Sequence, residues 1–385
     1  MEKKTVLMIS PTFSPVIGGS EIYSNDLYEY LSRRGHRVVL IACTSPLKGK
    51  YRLIERSGNS CIRRIPCLNR KLLEKTVKHP IVYPFLIIPP LFFYSFFFLL
   101  WNRNEVDVIH AQSASAGLVV ALLAAIFKKR SIVTTHGKYF SDNPYHLQYN
   151  KYVKFIKWVL GSFDKILAIN EQSKEELLEV GIRDDKIIIA THWVDQQMFR
   201  VQDKKTCKVR VGWQGRFVIL YAGRFVEDKG IGQIIDVAKE ITRDVVFVFA
   251  GTGPLEEMIV NAAKDEHNII YLGRVDNERM SIYYNAADLI LVPSRHAGDG
   301  IPRVITEALS CGTPVIGANR GGIPDVVASS VGIIIEPAAE EIKRSIETLF
   351  DDRDKLNRLT ANCRRYAESR FSIRNAEIAE ASYYG

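Results

Sequence analysis

Short apolar runs alternate with stretches of helical periodicity along the whole 385-residue chain. Apolar runs bounded by turn residues are typical of strands buried on both faces of a parallel sheet. In the first half they predict strands over Thr5–Ser10, Arg37–Ala42, Val106–Ala111, Ser131–Thr135, Lys165–Ile169 and Lys186–Ala190. In the second half they predict strands over Phe217–Ala222, Val245–Ala250, Ile269–Leu272, Leu289–Val292, Thr313–Gly317 and Gly332–Ile335. Strands that alternate with helices indicate an α/β protein with two doubly wound, Rossmann-like sheets.

The polar stretch Asp203–Gly215 separates the two sets of strands. A chain of this length is long enough for two domains, each with its own hydrophobic core. We therefore predict an N-terminal domain over residues 1–200 and a C-terminal domain over residues 201–371. In such sheets ligands bind beyond the carboxyl ends of the strands, so the residues that follow each strand are the first candidates for function.

The positive charge of the chain is concentrated in its first half. The whole sequence has 52 Lys and Arg against 43 Asp and Glu, a net charge of +9. Residues 1–200 hold 28 against 17 and the remainder 24 against 26, so the two parts carry net charges of +11 and −2. A basic domain indicates an anionic partner. No helix-turn-helix, zinc-finger or RNA-binding motif accompanies the charge, so an anionic membrane surface is favoured over nucleic acid.

The segment 81–101 contains no charged residue and is rich in Phe, Leu and Ile. Its length could span a bilayer, but Pro84, Pro89 and Pro90 interrupt it, and both flanks belong to the same predicted domain. Two other interpretations are a buried helix of that domain and a surface helix that dips into the membrane interface. The aromatic content and the flanking basic residues favour peripheral membrane contact, with the buried helix as the principal alternative.

The six cysteines form no Cys-x-x-Cys pair and no Cys/His set with zinc spacing. They are best interpreted as reduced, mostly buried thiols, as in cytosolic proteins. The first residues lead directly into a predicted strand, without the apolar stretch and cleavage site of a signal peptide. The protein is therefore expected in the cytoplasm, with peripheral association at the cytoplasmic face of a membrane.

Two acidic residues, Asp299 and Glu307, flank a predicted helix start. Between them, Gly300-Ile301-Pro302 predicts a tight turn with Pro302 at the first helical position, and Gly312 follows the predicted helix end. The free amides at the start of such a helix attract phosphate oxygens, and the carboxylate of Glu307 can hold sugar hydroxyls. An ordinary loop–helix junction with a solvated Asp is the alternative.

Two cations follow the first predicted strand of the second half. Phe217–Ala222 continues into Gly223-Arg224-Phe-Val-Glu-Asp-Lys229-Gly230, in which the glycines permit tight backbone turns. A guanidinium that forms paired hydrogen bonds, followed five residues later by an ammonium, suits the charge and shape of a diphosphate. A surface loop with two unrelated cations is the alternative.

These two segments resemble the nucleotide-sugar site of retaining GT-B glycosyltransferases, most closely glycosyltransferase family 4. The resemblance lies in Gly-Arg…Lys-Gly over residues 223–230, and in an acid, a glycine turn and Glu-Ala-Leu-x-Cys-Gly-Thr-Pro-Val-Ile over residues 299–316. It implies a GT-B architecture, in which two Rossmann-like domains face each other across a cleft and the second binds the donor. It also implies that a C-terminal helix, about 372–385, returns to the first domain.

The resemblance assigns roles within the donor site. Arg224 and Lys229 would contact the donor diphosphate, and Glu307 would hold the ribose. Asp299 would hold the donor sugar together with the amides of the following turn, Gly300 and Ile301. Most family members carry Glu at the position of Asp299, so the carboxylate of this chain is shorter by one methylene.

Four further segments are assigned by the same resemblance. Gly18-Gly19 matches the family's N-terminal glycine loop, which reaches the donor phosphate and the acceptor side. His136 follows a predicted strand and matches a histidine beside the donor sugar, although a lone His is more often structural. Gly251-Thr-Gly253 matches the turn that borders the nucleotide, and Arg274-Val275 matches the segment whose backbone meets the base.

The resemblance therefore implies a retaining hexosyltransferase that uses a UDP- or GDP-sugar and a saccharide or lipid-linked acceptor, in polysaccharide or glycolipid assembly. The sequence offers no obvious enzymic nucleophile, which favours front-face attack. Its Asp-x-Asp string, Asp352-Arg-Asp354, lies at a predicted helix start, so neither a metal nor another cofactor is expected besides the nucleotide-sugar co-substrate. A sugar-nucleotide-binding scaffold without activity and a GT-B epimerase-like enzyme are the alternatives.

Overall fold

The chain divides into two compact units, each with its own parallel sheet and apolar core. The computed structural model describes residues 2–13, 19–44, 52–66, 82–136, 150–295 and 301–384. One unit comprises Met1–Thr191 and Asn375–Gly385, and the other comprises His192–Arg374.

The described part of the first unit contains an eight-stranded sheet. Its strands are β1 (Thr5–Ser10), β2 (Arg37–Cys43), β3 (Ile54–Ser57), β4 (Ser60–Ile65), β5 (Val108–Ala111), β6 (Arg130–Thr135), β7 (Lys165–Ala168) and β8 (Ile187–Ile189). The spatial order is β3-β4-β2-β1-β5-β6-β7-β8, and neighbours pair in parallel except for the antiparallel edge pair β3–β4. The strand order reverses at β1, which is the switch point where α/β sheets usually bind ligands.

Helices cover both faces of this sheet. They are α1 (Gly19–Arg33), α2 (Val82–Asn102), α3 (Ala114–Phe127), α4 (Asn150–Gly161), α5 (Glu171–Val180) and, from the end of the chain, α13 (Arg374–Ala381). Helices α2, α3 and α4 share one core with alternate residues of β1, β2 and β5. The intervening strand residues point to the opposite face because strand side chains alternate, and α1 packs there against β2.

The second unit contains a six-stranded, fully parallel sheet within its described residues. Its strands are β9 (Phe217–Ala222), β10 (Val245–Ala250), β11 (Ile269–Gly273), β12 (Leu289–Val292), β13 (Val315–Ala318) and β14 (Gly332–Ile335), in the spatial order β11-β10-β9-β12-β13-β14. Its helices are α6 (Lys204–Val211), α7 (Ile231–Glu240), α8 (Glu256–Asp265), α9 (Asn277–Ala286), α10 (Arg303–Ser310), α11 (Ala339–Asp351) and α12 (Arg353–Arg370). Asp352 of the Asp-x-Asp string caps α12 by accepting a hydrogen bond from the N–H of Lys355 (2.8 Å).

All predicted strands are present, with ends that differ from the prediction by no more than two residues. The sequence analysis missed β3 and β4, which form a hairpin at the edge of the first sheet. The strand β3 is mostly exposed and carries Glu55 and Arg56, so it has no continuous apolar run. Edge strands are half solvated, and therefore the signal that identifies buried parallel strands is absent there.

Helix α2 continues through two prolines that predict an interruption. Pro89 and Pro90 both lie inside the helix. A proline in a helix removes a hydrogen bond and costs about 3 kcal/mol. The flanking Ile87 and Leu91 are buried in the first unit's core and offset that cost by apolar burial, so the expected interruption is wrong. Among the helices of the described ranges, none combines the length and apolarity needed to cross a membrane.

The first unit ends at Thr191 rather than near residue 200. Val194 and Phe199 are buried in the core of the second unit. The N–H of Val194 also donates to the carbonyl of Phe371 (3.1 Å), in the same unit. These apolar side chains precede the polar stretch that suggested the boundary, and their packing moves the boundary toward the N-terminus.

The C-terminal helix α13 is attached to the first unit by a buried carboxylate. Glu380 accepts a hydrogen bond from the hydroxyl of Tyr30 (2.8 Å) and pairs with Nε2 of the buried His36 (2.8 Å). Arg34 lies 3.3 Å from the same carboxylate. Although desolvation acts in the opposite direction, the hydrogen bonds and the Arg34 charge lower the pKa of Glu380 below its ordinary value. The ionised carboxylate is therefore the form that holds α13 against α1.

A second buried polar contact joins the last residues to β5 and β6. The imidazole of His110 is fully buried, with Nδ1 2.8 Å from the hydroxyl of Tyr383 and Nε2 2.8 Å from Oγ1 of Thr134. Burial, with a smaller contribution from His136, lowers the pKa of His110 to about 3. His110 is therefore neutral in the folded protein throughout the range in which an unfolded His becomes protonated.

We predict that His110 makes folding sensitive to mild acid. An unfolded His takes up a proton below pH ~6.5 while the folded His110 does not, so the free energy of unfolding falls by about 2 kcal/mol between pH ~7.5 and pH ~5. The His110→Gln variant keeps a hydrogen-bond donor and an acceptor at this position. Its free energy of unfolding should not show this part of the decrease between the two pH values. Urea unfolding of both proteins at the two pH values measures the difference. An identical loss in the two proteins would contradict the assignment.

Candidate active site

The predicted donor-site residues follow strands that end at the same edge of the second sheet. Because β9, β10, β11 and β12 are parallel neighbours, their carboxyl ends lie side by side. The loop after β9 carries Arg224, the loop after β10 carries Gly251 and Gly253, and the segment after β11 carries Arg274. The structure thus brings these residues together although up to 50 positions separate them in the chain.

Glycines allow these loops to cross in direct backbone contact. A Cβ on Gly251 would overlap the carbonyl oxygen of Gly223, and a Cβ on Gly253 would lie 2.5 Å from the carbonyl oxygen of Phe225. The N–H of Gly223 donates to the carbonyl of Ala250 (3.0 Å). The glycines are therefore required for the packing of the loops themselves, in addition to any role beside a ligand.

The two predicted diphosphate cations lie on the loop that follows β9. Arg224 is exposed, and the described residues give it no ion-pair partner. Its backbone carbonyl accepts a hydrogen bond from the hydroxyl of Tyr221 (2.9 Å), which fixes the start of the loop. Lys229 ends a 3-10 turn, Glu227–Lys229, and is partly buried. Gly230 then opens α7 with a left-handed φ of 74°, and a Cβ there would lie 2.5 Å from the carbonyl oxygen of Pro293.

Helix α10 begins one residue later than predicted. Pro302 is its N-cap, with φ −68° and ψ 120°, and the first helical residue is Arg303. The fixed φ of proline suits either position, but the extended ψ places Pro302 outside the helix. Ile301 is buried in the core of the second unit and anchors the turn. At the other end Gly312 takes a φ of 81°, which is the left-handed conformation predicted for the residue after the helix.

Glu307 is buried on α10, with only 4 % of its surface exposed. Its Oε2 accepts a hydrogen bond from the hydroxyl of Tyr284 (2.8 Å), and its Oε1 lies 3.2 Å from Nε of Arg303. Burial and the neighbouring carboxylate raise the pKa of Tyr284 well above its ordinary value, so the phenol keeps its proton and donates. A buried carboxylate held by a phenol and a guanidinium is a rigid acceptor for hydroxyl groups.

Sequence reasoning missed Arg303 and Tyr284 as partners of Glu307. Arg303 lies four residues before Glu307, and opposite charges at this spacing meet on one face of a helix. The ion pair between Arg303 and Glu307 could therefore have been predicted from their spacing. Tyr284 lies on α9, and its contact with Glu307 depends on how α9 packs against α10. No local sequence pattern predicts that packing.

The second unit thus holds two kinds of electrostatic group in different surroundings. Arg224 is exposed and surrounded by water, so its charge is available to a ligand at little desolvation cost. Glu307 is buried, where it accepts a hydrogen bond from Tyr284 and pairs with Arg303. An exposed cation together with a buried carboxyl group suits a ligand that combines phosphates with hydroxyl groups.

The remaining predicted donor-site residues are placed only in part. Arg274 is exposed and Val275 is partly buried against the second unit's core, directly after the end of β11 at Gly273. Asp299 and Gly300 lie outside the described residues. Their roles stay predictions.

His136 follows β6 in the first unit. Its ring packs edge-to-face with the ring of Tyr23 on α1, with centroids 5.1 Å apart and an interplanar angle of 71°. The surrounding protein lowers the pKa of His136 to about 4 by desolvation, so the imidazole is neutral at pH ~7. Gly19 begins α1, and Gly18 lies outside the described residues. Tyr23 is a further residue that the sequence analysis did not single out.

We predict that the Gly251→Ala variant is destabilised by about 3 kcal/mol, because a methyl group at that position overlaps the Gly223 carbonyl and forces the two loops apart. The matched control is Gly232→Ala, where an added Cβ meets nothing within 4 Å and alanine favours helix α7. Urea unfolding at neutral pH compares the variants. A Gly251→Ala protein as stable as wild type would show that the loops do not require this contact.

Both parts of the chain match known glycosyltransferase families. Residues 17–197 match the family described as Glycosyltransferase Family 4, and residues 203–366 match the one described as Glycosyl transferases group 1. One relative is a component of the phosphatidylinositol N-acetylglucosaminyltransferase of Arabidopsis thaliana. It is 26% identical over 359 residues, which cover 90% of this chain and 74% of the relative.

Solved structures share the fold over nearly the full length. Sucrose-phosphate synthase from Thermosynechococcus elongatus superimposes with a TM-score of 0.77 and 20% identity, covering 99% of this chain and 98% of that one. The Anabaena protein Alr3699/HepE, solved with UDP-glucose, gives a TM-score of 0.71 at 19% identity and covers 98% of both chains. With both families matched and the fold shared, the chain belongs to glycosyltransferase family 4 and is a glycosyltransferase with the GT-B fold.

Proposed function

We propose that the protein is a retaining hexosyltransferase that takes a hexosyl group from a UDP- or GDP-sugar, without a metal ion. The observation that carries the proposal is the pair of cations on the loop after β9. Arg224 is exposed and has no ion-pair partner among the described residues, and Lys229 lies on the same loop. Paired hydrogen bonds from a guanidinium and a point charge from an ammonium stabilise the negative charge that develops on a departing diphosphate. In this proposal the two side chains replace the metal ion that other glycosyltransferases use.

The nucleoside and the sugar bind beyond the diphosphate in this proposal. Glu307, held by Tyr284 and Arg303, accepts the ribose hydroxyls. Asp299, with the amides of Gly300 and Ile301, holds the transferred sugar. The charges and hydrogen-bonding groups of these side chains support a nucleoside-diphosphate donor. The Anabaena protein of the same fold, which was solved with UDP-glucose, agrees with this proposal.

In the proposed reaction the bond between the anomeric carbon and the diphosphate oxygen breaks as the acceptor oxygen forms a new bond on the same face. The acceptor proton moves to the departing diphosphate oxygen, so atoms and charge balance without an enzymic nucleophile. His136 is neutral at pH ~7 and can therefore donate and accept hydrogen bonds to sugar hydroxyls without adding a positive charge.

The proposed acceptor is a saccharide or a lipid-linked saccharide in polysaccharide or glycolipid assembly. The Arabidopsis relative, named for phosphatidylinositol, supports the lipid-linked class. A scaffold that binds sugar nucleotides without turnover and an epimerase-like enzyme are the competing functions. An epimerase alters the sugar of the donor with no acceptor present, so donor turnover with and without acceptor distinguishes it.

We predict saturable binding of UDP or GDP to the purified protein in the presence of EDTA, with one nucleotide preferred by about tenfold or more. Retained binding in the chelator is expected because side-chain cations, rather than a metal, neutralise the diphosphate. Isothermal titration measures both affinities. Binding that appears only after a divalent metal is added would refute metal independence, and the absence of binding to either nucleotide would overturn the proposed nucleoside-diphosphate site.

We predict that Arg224→Ala lowers transfer by about 100-fold or more while the protein keeps its stability. The side chain is exposed and contributes charge to the reaction rather than packing to the fold. Arg358→Ala, which removes an exposed guanidinium from α12, is the matched control and should leave transfer unchanged. Initial rates and thermal unfolding are measured on both variants, and normal turnover by Arg224→Ala would overturn the proposed role.

A further inference from the structure

Helix α2 has an apolar face that the first unit does not cover. One side of the helix is buried, while Phe93, Phe97, Leu100 and Trp101 are exposed, with 75 % of Trp101 accessible to solvent. The rings of Phe97 and Trp101 stack with centroids 5.9 Å apart. The exposed side chains recur at helical spacing, so they form a continuous row along the outside of α2.

The two neighbouring helices also expose apolar side chains. Helix α2 packs against α3, and α3 packs against α4. Leu122 and Ile126 are exposed on α3, and Phe155 and Trp158 are exposed on α4. We define these eight residues as the aromatic surface: Phe93, Phe97, Leu100, Trp101, Leu122, Ile126, Phe155 and Trp158.

The aromatic surface is a local feature of this face. Within the described residues, every strongly exposed Phe and Trp lies on α2 or α4, the two helices that pack against α3. Scattered exposed apolar residues are ordinary, but a cluster of rings on adjacent helices marks an interaction surface. Phe, Leu and Trp together on one face are also the residues that amphipathic helices place in the boundary between lipid headgroups and acyl chains.

The charged side chains carried by these three helices are all basic. Helices α2, α3 and α4 contain no Asp or Glu, and the basic side chains of Lys154 and Lys157 are exposed on α4 beside Phe155 and Trp158. Lys128 directly follows α3 and Arg103 directly follows α2. Two copies that met through this face would bring their lysines together, which disfavours self-association. An anionic bilayer complements both the rings and the lysines.

We propose that the aromatic surface docks the protein on anionic membranes, with Phe97, Trp101, Phe155 and Trp158 inserted at the level of the headgroups and Lys154 and Lys157 on lipid phosphates. The contact extends over three helices, rather than the single segment 81–101 that the sequence suggested. It does not depend on the proposed donor chemistry, because none of these residues belongs to the candidate donor site.

Vesicle binding of the wild-type protein is the first test. Vesicles of phosphatidylcholine with phosphatidylglycerol should co-sediment the protein, and vesicles of phosphatidylcholine alone should bind it at least about tenfold less well. Brominated lipid should quench the tryptophan fluorescence, because Trp101 and Trp158 are exposed whereas Trp193 and Trp213 are buried. Absence of binding to both kinds of vesicle would overturn the proposal.

Paired variants test which residues carry the contact. Phe97→Ser/Trp101→Ser and Lys154→Glu/Lys157→Glu should each weaken binding to the anionic vesicles by about tenfold or more. The matched controls are Val209→Ser/Met258→Ser and Lys205→Glu/Lys239→Glu, which change exposed residues of the second unit and should bind as wild type does. Nucleotide affinity and thermal stability should be unchanged in all four variants.

Two further results, obtained with the variants, would overturn the assignment. One is unchanged vesicle binding by both surface variants. The other is a wild-type dimer in solution that Phe97→Ser/Trp101→Ser converts to a monomer, since that would identify a second copy as the occupant. Nucleotide binding is measured on the same samples, so failure of the docking surface and failure of the proposed transferase activity give separate readings.

Discussion

The second unit depends on the contact between backbones at the carboxyl edge of its sheet. The loops after β9 and β10 cross so closely that Gly251 faces the carbonyl of Gly223 with no room for a side chain. Hydrogen bonds then run from loop to loop, from Gly223 to Ala250 and from Gly251 to Gly273. With its backbone satisfied by neighbouring loops, the loop after β9 can present Arg224 to solvent from a defined position.

The first unit is completed by the end of the chain. Glu380 and Tyr383 make buried polar contacts with residues of α1, β5 and the segment before β2, so residues far apart in sequence share one core. Buried polar groups that are fully paired favour one arrangement over its competitors. Attachment of α13 therefore makes the sheet of the first unit depend on residues that follow the whole second unit.

Much of the fold could be predicted because a buried parallel strand is a continuous apolar run. This property is local, and it located the predicted strands of both sheets and indicated an α/β protein. The family came instead from motifs of contiguous residues, and the comparisons confirm it. The β3–β4 hairpin was not predicted because an edge strand has one solvated side and therefore lacks a continuous apolar run. The prolines of α2 suggested an interruption of the helix that the structure does not have. Their free-energy cost is offset by packing against parts of the chain that a short stretch of sequence does not include.

By itself, the sequence determined the α/β class, the family and the residue types at the strand ends, because each depends on local periodicity or on motifs of contiguous residues. The tertiary structure alone decided that Tyr284 holds Glu307, that Gly251 lies against Gly223, and that three neighbouring helices expose aromatic and aliphatic side chains. Those features arise between elements distant in the chain. They depend on strand order and helix packing. Both are determined by the free energy of the whole unit, and no short segment of the sequence encodes them.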